Sequence, residues 1–437
     1  MKELISCFLN SIPSGMEGEI YVVHRREKYA EAGSGRIEKS QEAETIETAI
    51  RLKSDSRVSF GFVTDPSREK IEKLIKTTVE KIEYQKERPH FSFPDPENPG
   101  EVTGICDPSF EKVELAELEA LALEMESSAR KDSRIVATRN VKVEAEYERI
   151  WIANSRGVDY SSDRTLFSNE LMVVAEEGGE TGDSWDFSIS HLFSGLENIA
   201  ERTAEKALKS IGGKPPETGR YTLIVENRMA SFLLSSIFQG FTGESVYKGR
   251  SPLVNKVGKK IFSEKLNITV NGRLPQSPLA FPFDGEGVVT DRVEIVKNGV
   301  LLNLILDMEY ARIFKDRPTG SVVRSDLKNP PSTGEMNFFI EPSNISPEDL
   351  AGGVEKGLFI TELMGLHTID PITWQFSLGA RGFLIEKGKV TSPVQQFTVS
   401  GTLSELFRRI EVASDLKFTG GTGAPSILFE GVSVGGK

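Results

Sequence analysis

Apolar positions change rhythm several times along this chain, and each rhythm predicts an element. Between residues 68 and 84 they fall at Ile71, Leu74, Ile75, Val79 and Ile82, close to the 3.6-residue repeat of a helix with one buried face. Asp65-Pro66-Ser67 ahead of them offers capping chemistry. Residues 20–23 and 56–64 read as strands, the second through the β-branched and aromatic run Ser59-Phe60-Gly61-Phe62-Val63. The opening residues 1–10 predict an amphipathic helix rather than a signal peptide, because Glu3 and Asn10 bound the short apolar stretch. Pro89, Pro94, Pro96 and Pro99 then predict an extended linker over 88–100, since each proline fixes φ and removes a donor.

Beyond the linker, Asp107-Pro108-Ser109 introduces a helix to about residue 131. Strands follow over 134–145 and 171–175, with Asn154-Ser155-Arg156-Gly157 as a turn between strands. A helix over 196–211 ends at Gly212-Gly213, and Pro215-Pro216 marks a boundary. The remainder is strand-rich. A strand over 220–225 leads into an apolar helix over 229–238, and Lys297-Asn298-Gly299 turns a hairpin between residues 293 and 302. Ser346-Pro347-Glu348-Asp349 starts a helix, and strands fall at 358–361, 382–385 and 395–399. Strands and helices do not alternate regularly. The pattern predicts an α+β protein with mainly antiparallel sheets in three segments, 1–105, 106–214 and 215–437.

Composition narrows the function classes. With 437 residues, 38% hydrophobic and 27% charged, the chain can bury a core without disulfides or metal staples. A formal net charge of −12 argues against a nucleic-acid footprint. Cys7 and Cys106 make no disulfide framework and read as reduced thiols of a cytoplasmic protein. No apolar run approaches the length of a membrane helix.

Candidate chemistry is sparse. The four histidines, His24, His90, His191 and His367, form no HExxH pair. Gly431-Val432-Ser433-Val434-Gly435 matches a nucleophile elbow but has no helix behind it. The glycine-rich run 420–425 reads as a mobile turn. Asp284 and Glu286, in Pro282-Phe283-Asp284-Gly285-Glu286-Gly287, have the spacing for an acid and a base, although turn chemistry explains both acids and glycines.

An ordered set of short motifs resembles the TldD/PmbA family, also called modulator of DNA gyrase, on its PmbA (TldE) branch. The set comprises Asn154 to Gly157, Pro282-Phe283-Asp284 with Glu286-Gly287, Thr290, Arg292, Lys297-Asn298-Gly299, Thr361-Glu362-Leu363-Met364-Gly365, Phe376-Ser377 through Gly382-Phe383, and Pro425. The resemblance implies a cytoplasmic peptidase complex of two related subunits, acting in peptide maturation and on unfolded peptides. In such a pair the TldD subunit holds zinc with HExxxH and a cysteine, and the PmbA subunit lacks those ligands. Anchored on Gly240, Gly243 and Lys248-Gly249-Arg250-Ser251, the HExxxH positions fall on Leu234, Ser235 and Gln239, and the tail from Phe418 to Pro425 has no cysteine. The expectations are therefore a chain without zinc or other cofactor, a TldD-type zinc-bearing partner, peptide substrates, a homodimer when that partner is missing, and neither membrane nor direct nucleic-acid contact. Two other readings stay open, a stand-alone hydrolase using Asp284 and Glu286, and a regulatory binding protein.

Overall fold

In the computed structural model, which describes all 437 residues, the first half is built on one long antiparallel sheet. Its strands are β1 (Glu17–Gly33), β2 (Arg36–Ser54), β3 (Arg57–Thr64), β4 (Ile135–Asn154), β5 (Asp159–Glu177) and β6 (Glu180–Ser190), in the spatial order β3-β2-β1-β4-β5-β6. The segments divided at residue 105 thus share a single sheet. Four helices cover one face: α1 (Lys2–Asn10), α2 (Arg68–Glu80), α3 (Leu115–Ala129) and α4 (Ala200–Lys209). Alternation along the strands explains why: Ile20, Val22, Ile50 and Leu52 pack with Phe8, Ile71 and Ile75, and Val143, Ala145, Phe167 and Leu171 pack with Leu118, Ala122 and Ala204. Ser67 caps α2 as its sequence suggests, accepting from the Lys70 N–H.

The second half holds two more sheets. One runs in the order β10-β9-β8-β13-β19-β18, from β8 (Ile268–Asn271), β9 (Arg292–Lys297), β10 (Val300–Leu301), β13 (Phe338–Ile340), β18 (Lys417–Phe418) and β19 (Thr422–Ala424). The other contains β7 (Gly219–Val225), β14 (Lys356–Met364), β15 (Gln375–Glu386), β16 (Lys389–Thr402), β17 (Ile410–Val412) and β20 (Ile427–Gly435), ordered β16-β15-β14-β7-β20-β17. A further pairing of β16 with β20 closes this sheet on itself. A small hairpin, β11 (Val322–Val323) and β12 (Ser332–Thr333), stands apart. The helices are α5 (Asn227–Ile237), α6 (Gly243–Tyr247), α7 (Met308–Phe314), α8 (Pro347–Gly352) and α9 (Leu403–Leu406). The apolar helix read over 229–238 is α5. Leu233, Leu234 and Ile237 join a 45-residue core that also draws on strands of both sheets, as expected of a helix that is apolar around most of its circumference.

The fold is α+β and mostly antiparallel, with parallel exceptions at β7–β14 and β13–β19. One element goes unannounced in the sequence, one expectation is refined and one gives way. The polar residues of β2 carry no strand signal, yet they pair with β1 from Arg36 to Lys53. Residues 88–100 carry no helix and no strand, as their prolines suggest, and they are anchored as well: Phe91 and Phe93 are buried under the Arg51 guanidinium. The run 420–425 is not a mobile turn but contains β19, buried beside β13.

Candidate functional site

The helix that carries the motif positions is fixed by two hydroxyls one turn apart. Ser231 Oγ lies 2.6 Å from Thr419 Oγ1 and donates to the Thr422 carbonyl at 2.8 Å. Ser235 Oγ donates to Glu335 Oε1 at 2.6 Å, and Thr422 Oγ1 donates to Glu335 Oε2 at 2.7 Å. One carboxylate therefore ties α5 to β19. Gly421 lets the Glu335 backbone approach; a Cβ there would collide with the Glu335 carbonyl.

The three motif positions diverge from this point. Leu234 is wholly buried in the core. Ser235 is engaged with Glu335. The α-helix ends at Ile237 and tightens into a 3₁₀ turn over Phe238–Phe241, which leaves Gln239 exposed at the wall of a cavity. Zinc needs three or four nitrogen, sulfur or carboxylate ligands within about 2.0–2.3 Å. Here the candidate ligands are scattered: His24 bonds Glu44 on the first sheet, His191 sits between the Thr165 and Ser277 carbonyls, and Cys7 and Cys106 lie in other parts of the fold. No three His, Cys, Asp or Glu side chains converge as a metal-binding group. The residues present do not fit a zinc centre.

The cavity, about 700 Å³, opens between the first sheet and the second half of the chain. Arg25, Glu148 and Arg164 form one wall, and Arg324, Gln239 and Glu335 stand on the other. Glu148 pairs with Arg25 at 2.7 Å and Arg164 at 2.6 Å. Burial works against its charge, yet the two guanidinium groups hold its carboxyl below the usual range.

Asp284 and Glu286 border this cavity from behind, each with partners of its own. Asp284 accepts backbone N–H groups from Glu286 (2.8 Å), Val288 (3.0 Å) and Val322 (3.0 Å). Burial and the neighbouring Glu286 push its carboxyl up to about 7 against those donors. Glu286 accepts from Arg51 at 2.8 Å and from the Met308 N–H at 3.1 Å. Arg51 also grips Glu19 through two hydrogen bonds, and Arg324 reaches the same Glu19. The geometry spends both acids on holding a loop and joining the two halves of the chain. Glu335, Glu148 and the Arg51 cluster escape a reading of the sequence because each is assembled from strands far apart in the chain.

Comparison with known proteins supplies the context for this degenerate helix. Residues 108–211 match the central domain of the PmbA/TldA metallopeptidases, and residues 218–436 match their C-terminal domain. The chain belongs to the PmbA/TldD family. A PmbA metalloprotease homologue of Buchnera aphidicola is 29% identical over 318 residues, covering 72% of this chain and 69% of its own. A Thermotoga maritima protein named for modulation of a DNA gyrase is 25% identical, with a TM-score of 0.89 and 99% of each chain covered. TldE of Thermococcus kodakarensis shares the fold at a TM-score of 0.90 over the full length of both chains, with 24% identity. The PmbA/TldD relatives are named metalloproteases, so this chain is a member of a peptidase-like family. No helix is long and apolar enough to cross a membrane.

Proposed function

We propose that this chain is the non-metal-binding subunit of a two-subunit PmbA/TldD-type peptidase, working beside a TldD-type partner that carries the zinc. The observation that carries the reading is the fate of the helix motif: a buried leucine, a serine engaged by Glu335 and an exposed glutamine occupy the positions where zinc and its water would need imidazoles and a carboxylate. The fold of the domain is kept while the ligands are gone, which suits a subunit that shapes the peptide path and holds its partner. The cavity beside Gln239 and Glu335 then forms part of that path, and the reading sets the pair in the cytoplasm.

A peptidase assay on this chain, on a TldD-type relative and on their mixture, each with and without chelator, tests the proposal. The expected result is no cleavage by this chain alone and chelator-sensitive cleavage that rises in the mixture. Chelator-resistant cleavage by this chain alone would support the carboxylate hydrolase instead, and a mixture no better than the relative alone would leave a binding protein. Metal analysis after dialysis should find no tightly held zinc.

A further inference from the structure

The first sheet leaves one strand half unpaired. β2 is bonded to β1 from Arg36 to Lys53, but its other edge meets β3 only from Glu47 onward. The Asp65 N–H reaches the Ile46 carbonyl at 2.8 Å, which shows that even-numbered residues direct their backbone groups to that outer edge. The outward N–H and C=O groups of Ser40, Glu42 and Glu44 bond to nothing in the chain. This open edge, exposed along most of residues 36–46, ends at Glu47, whose side chain lines the 700 Å³ cavity. A segment added to the edge would run toward Glu47 and the cavity until it met the end of β3 at Thr64.

The side chains along the edge specify what would fit. On the helix-covered face Ser40, Glu42 and Glu44 alternate, Ser40 donating to Glu119 of α3, and the Glu42 and Glu44 side chains are 61% and 63% exposed. Their neutralisation is partial, by Lys28 at 3.7 Å and His24 at 2.6 Å. On the other face Gln41, Ala43 and Thr45 are uncharged, and Lys39 is the one charged residue over 39–45. A strand paired here sets two alternate residues beside Glu42 and Glu44 and the residues between beside neutral groups. A second copy of this chain pairing by the same edge about Ala43 would oppose Glu42 to Glu44, a like-charge contact that disfavours it.

We propose that the free edge of β2 docks an extended peptide with basic residues at alternate positions and delivers its end to the cavity. The proposal rests on the peptide-handling reading above and names the class of peptide. Main-chain hydrogen bonds would give the affinity and the glutamates the selection.

The test uses this chain alone, without partner or cleavage, so its outcome is separate from that of the peptidase assay. A labelled twelve-residue peptide alternating lysine and threonine is titrated by fluorescence anisotropy against a peptide of the same composition arranged in two blocks. The alternating peptide should bind at least tenfold tighter, weaken with salt, and slow amide exchange over residues 38–46. Glu42→Pro removes one outward donor where an edge strand tolerates proline and should cost at least tenfold. The double variant Glu42→Lys/Glu44→Lys keeps every donor and should shift preference to an alternating glutamate–threonine peptide. Equal binding of both peptides, or no change in amide exchange, overturns the proposal. A wild-type dimer in sedimentation that Glu42→Pro dissociates also overturns it, by giving the edge to a second copy.

Discussion

Arg51 and Glu286 meet at 2.8 Å although 235 residues separate them, and both are buried. Arg51 comes from β2 and Glu286 from the loop before β9, so this pair joins the first sheet to the second half. Glu19 completes the cluster by accepting from both Arg51 and Arg324. Replacing Arg51 by methionine takes the guanidinium from buried Glu286, which keeps only the Met308 N–H, and leaves Glu19 with Arg324 alone. Breaking such a network by removing one partner costs about 3–5 kcal/mol, and equilibrium unfolding in urea should show that loss for Arg51→Met.

Asp284 gives the stability a pH dependence of known sign. Its carboxyl is pushed from 3.8 up to about 7 by burial and by Glu286. A raised acid binds more protons folded than unfolded, so its favourable contribution is full below about pH 4 and is lost as pH rises through about 7. Asp307, pushed up to about 6 by burial and the same Glu286, acts in the same direction. Each group contributes a slope of at most about 1.4 kcal/mol per pH unit inside its window. The stability of wild type relative to Asp284→Asn should fall between about pH 4 and pH 7 and level off above, read from urea midpoints at matched ionic strength.

Leu234 and Ser235 are adjacent in sequence but differ in what they support. Leu234→Asp places an unpaired charge in a fully buried position and should destabilise by about 3–5 kcal/mol. Ser235→Ala removes one hydrogen bond to Glu335, which retains Thr422 as a donor, and should cost about 1 kcal/mol. Thermal melting of the two variants separates the cases.

Rebuilding the motif should not rebuild a metal centre. In the triple variant Leu234→His, Ser235→Glu, Gln239→His, the first imidazole would point into the apolar core and no cysteine lies in β19 or beside it. Without a third ligand or an orienting outer layer of hydrogen bonds, affinity stays weak. Metal content after dialysis should remain far below one zinc per chain.

The parts of this fold legible in the sequence are those governed by local rules. The α2 cap at Ser67, the Asn298-Gly299 hairpin and the buried α5 each follow from a few neighbouring residues. β2 was not legible because its stability comes from pairing with β1 and not from apolar alternation. The segment 88–100 is legible as extended but its anchoring is not, for a related reason: the prolines speak locally, whereas Phe91 and Phe93 bury themselves against Arg51. At the candidate site, a resemblance to a family pattern points to Leu234, Ser235 and Gln239, on and just beyond the helix that Glu335 engages. Glu335 itself is not legible, since nothing near it in sequence announces a carboxylate shared by Ser235 and Thr422.

The strand β20 bonds to β7, β16 and β17. It is the last strand of the chain, yet it fills the gap that closes the sheet, and its partner β7 opens the same half some two hundred residues earlier. During synthesis the strands before it must wait with an unfilled slot and exposed apolar faces until β20 has left the ribosome. The slow, non-local closure this imposes makes the nascent second half dependent on protection from aggregation. A chain that stopped ahead of β20 would leave that slot open for good, and would cost the whole domain rather than one strand.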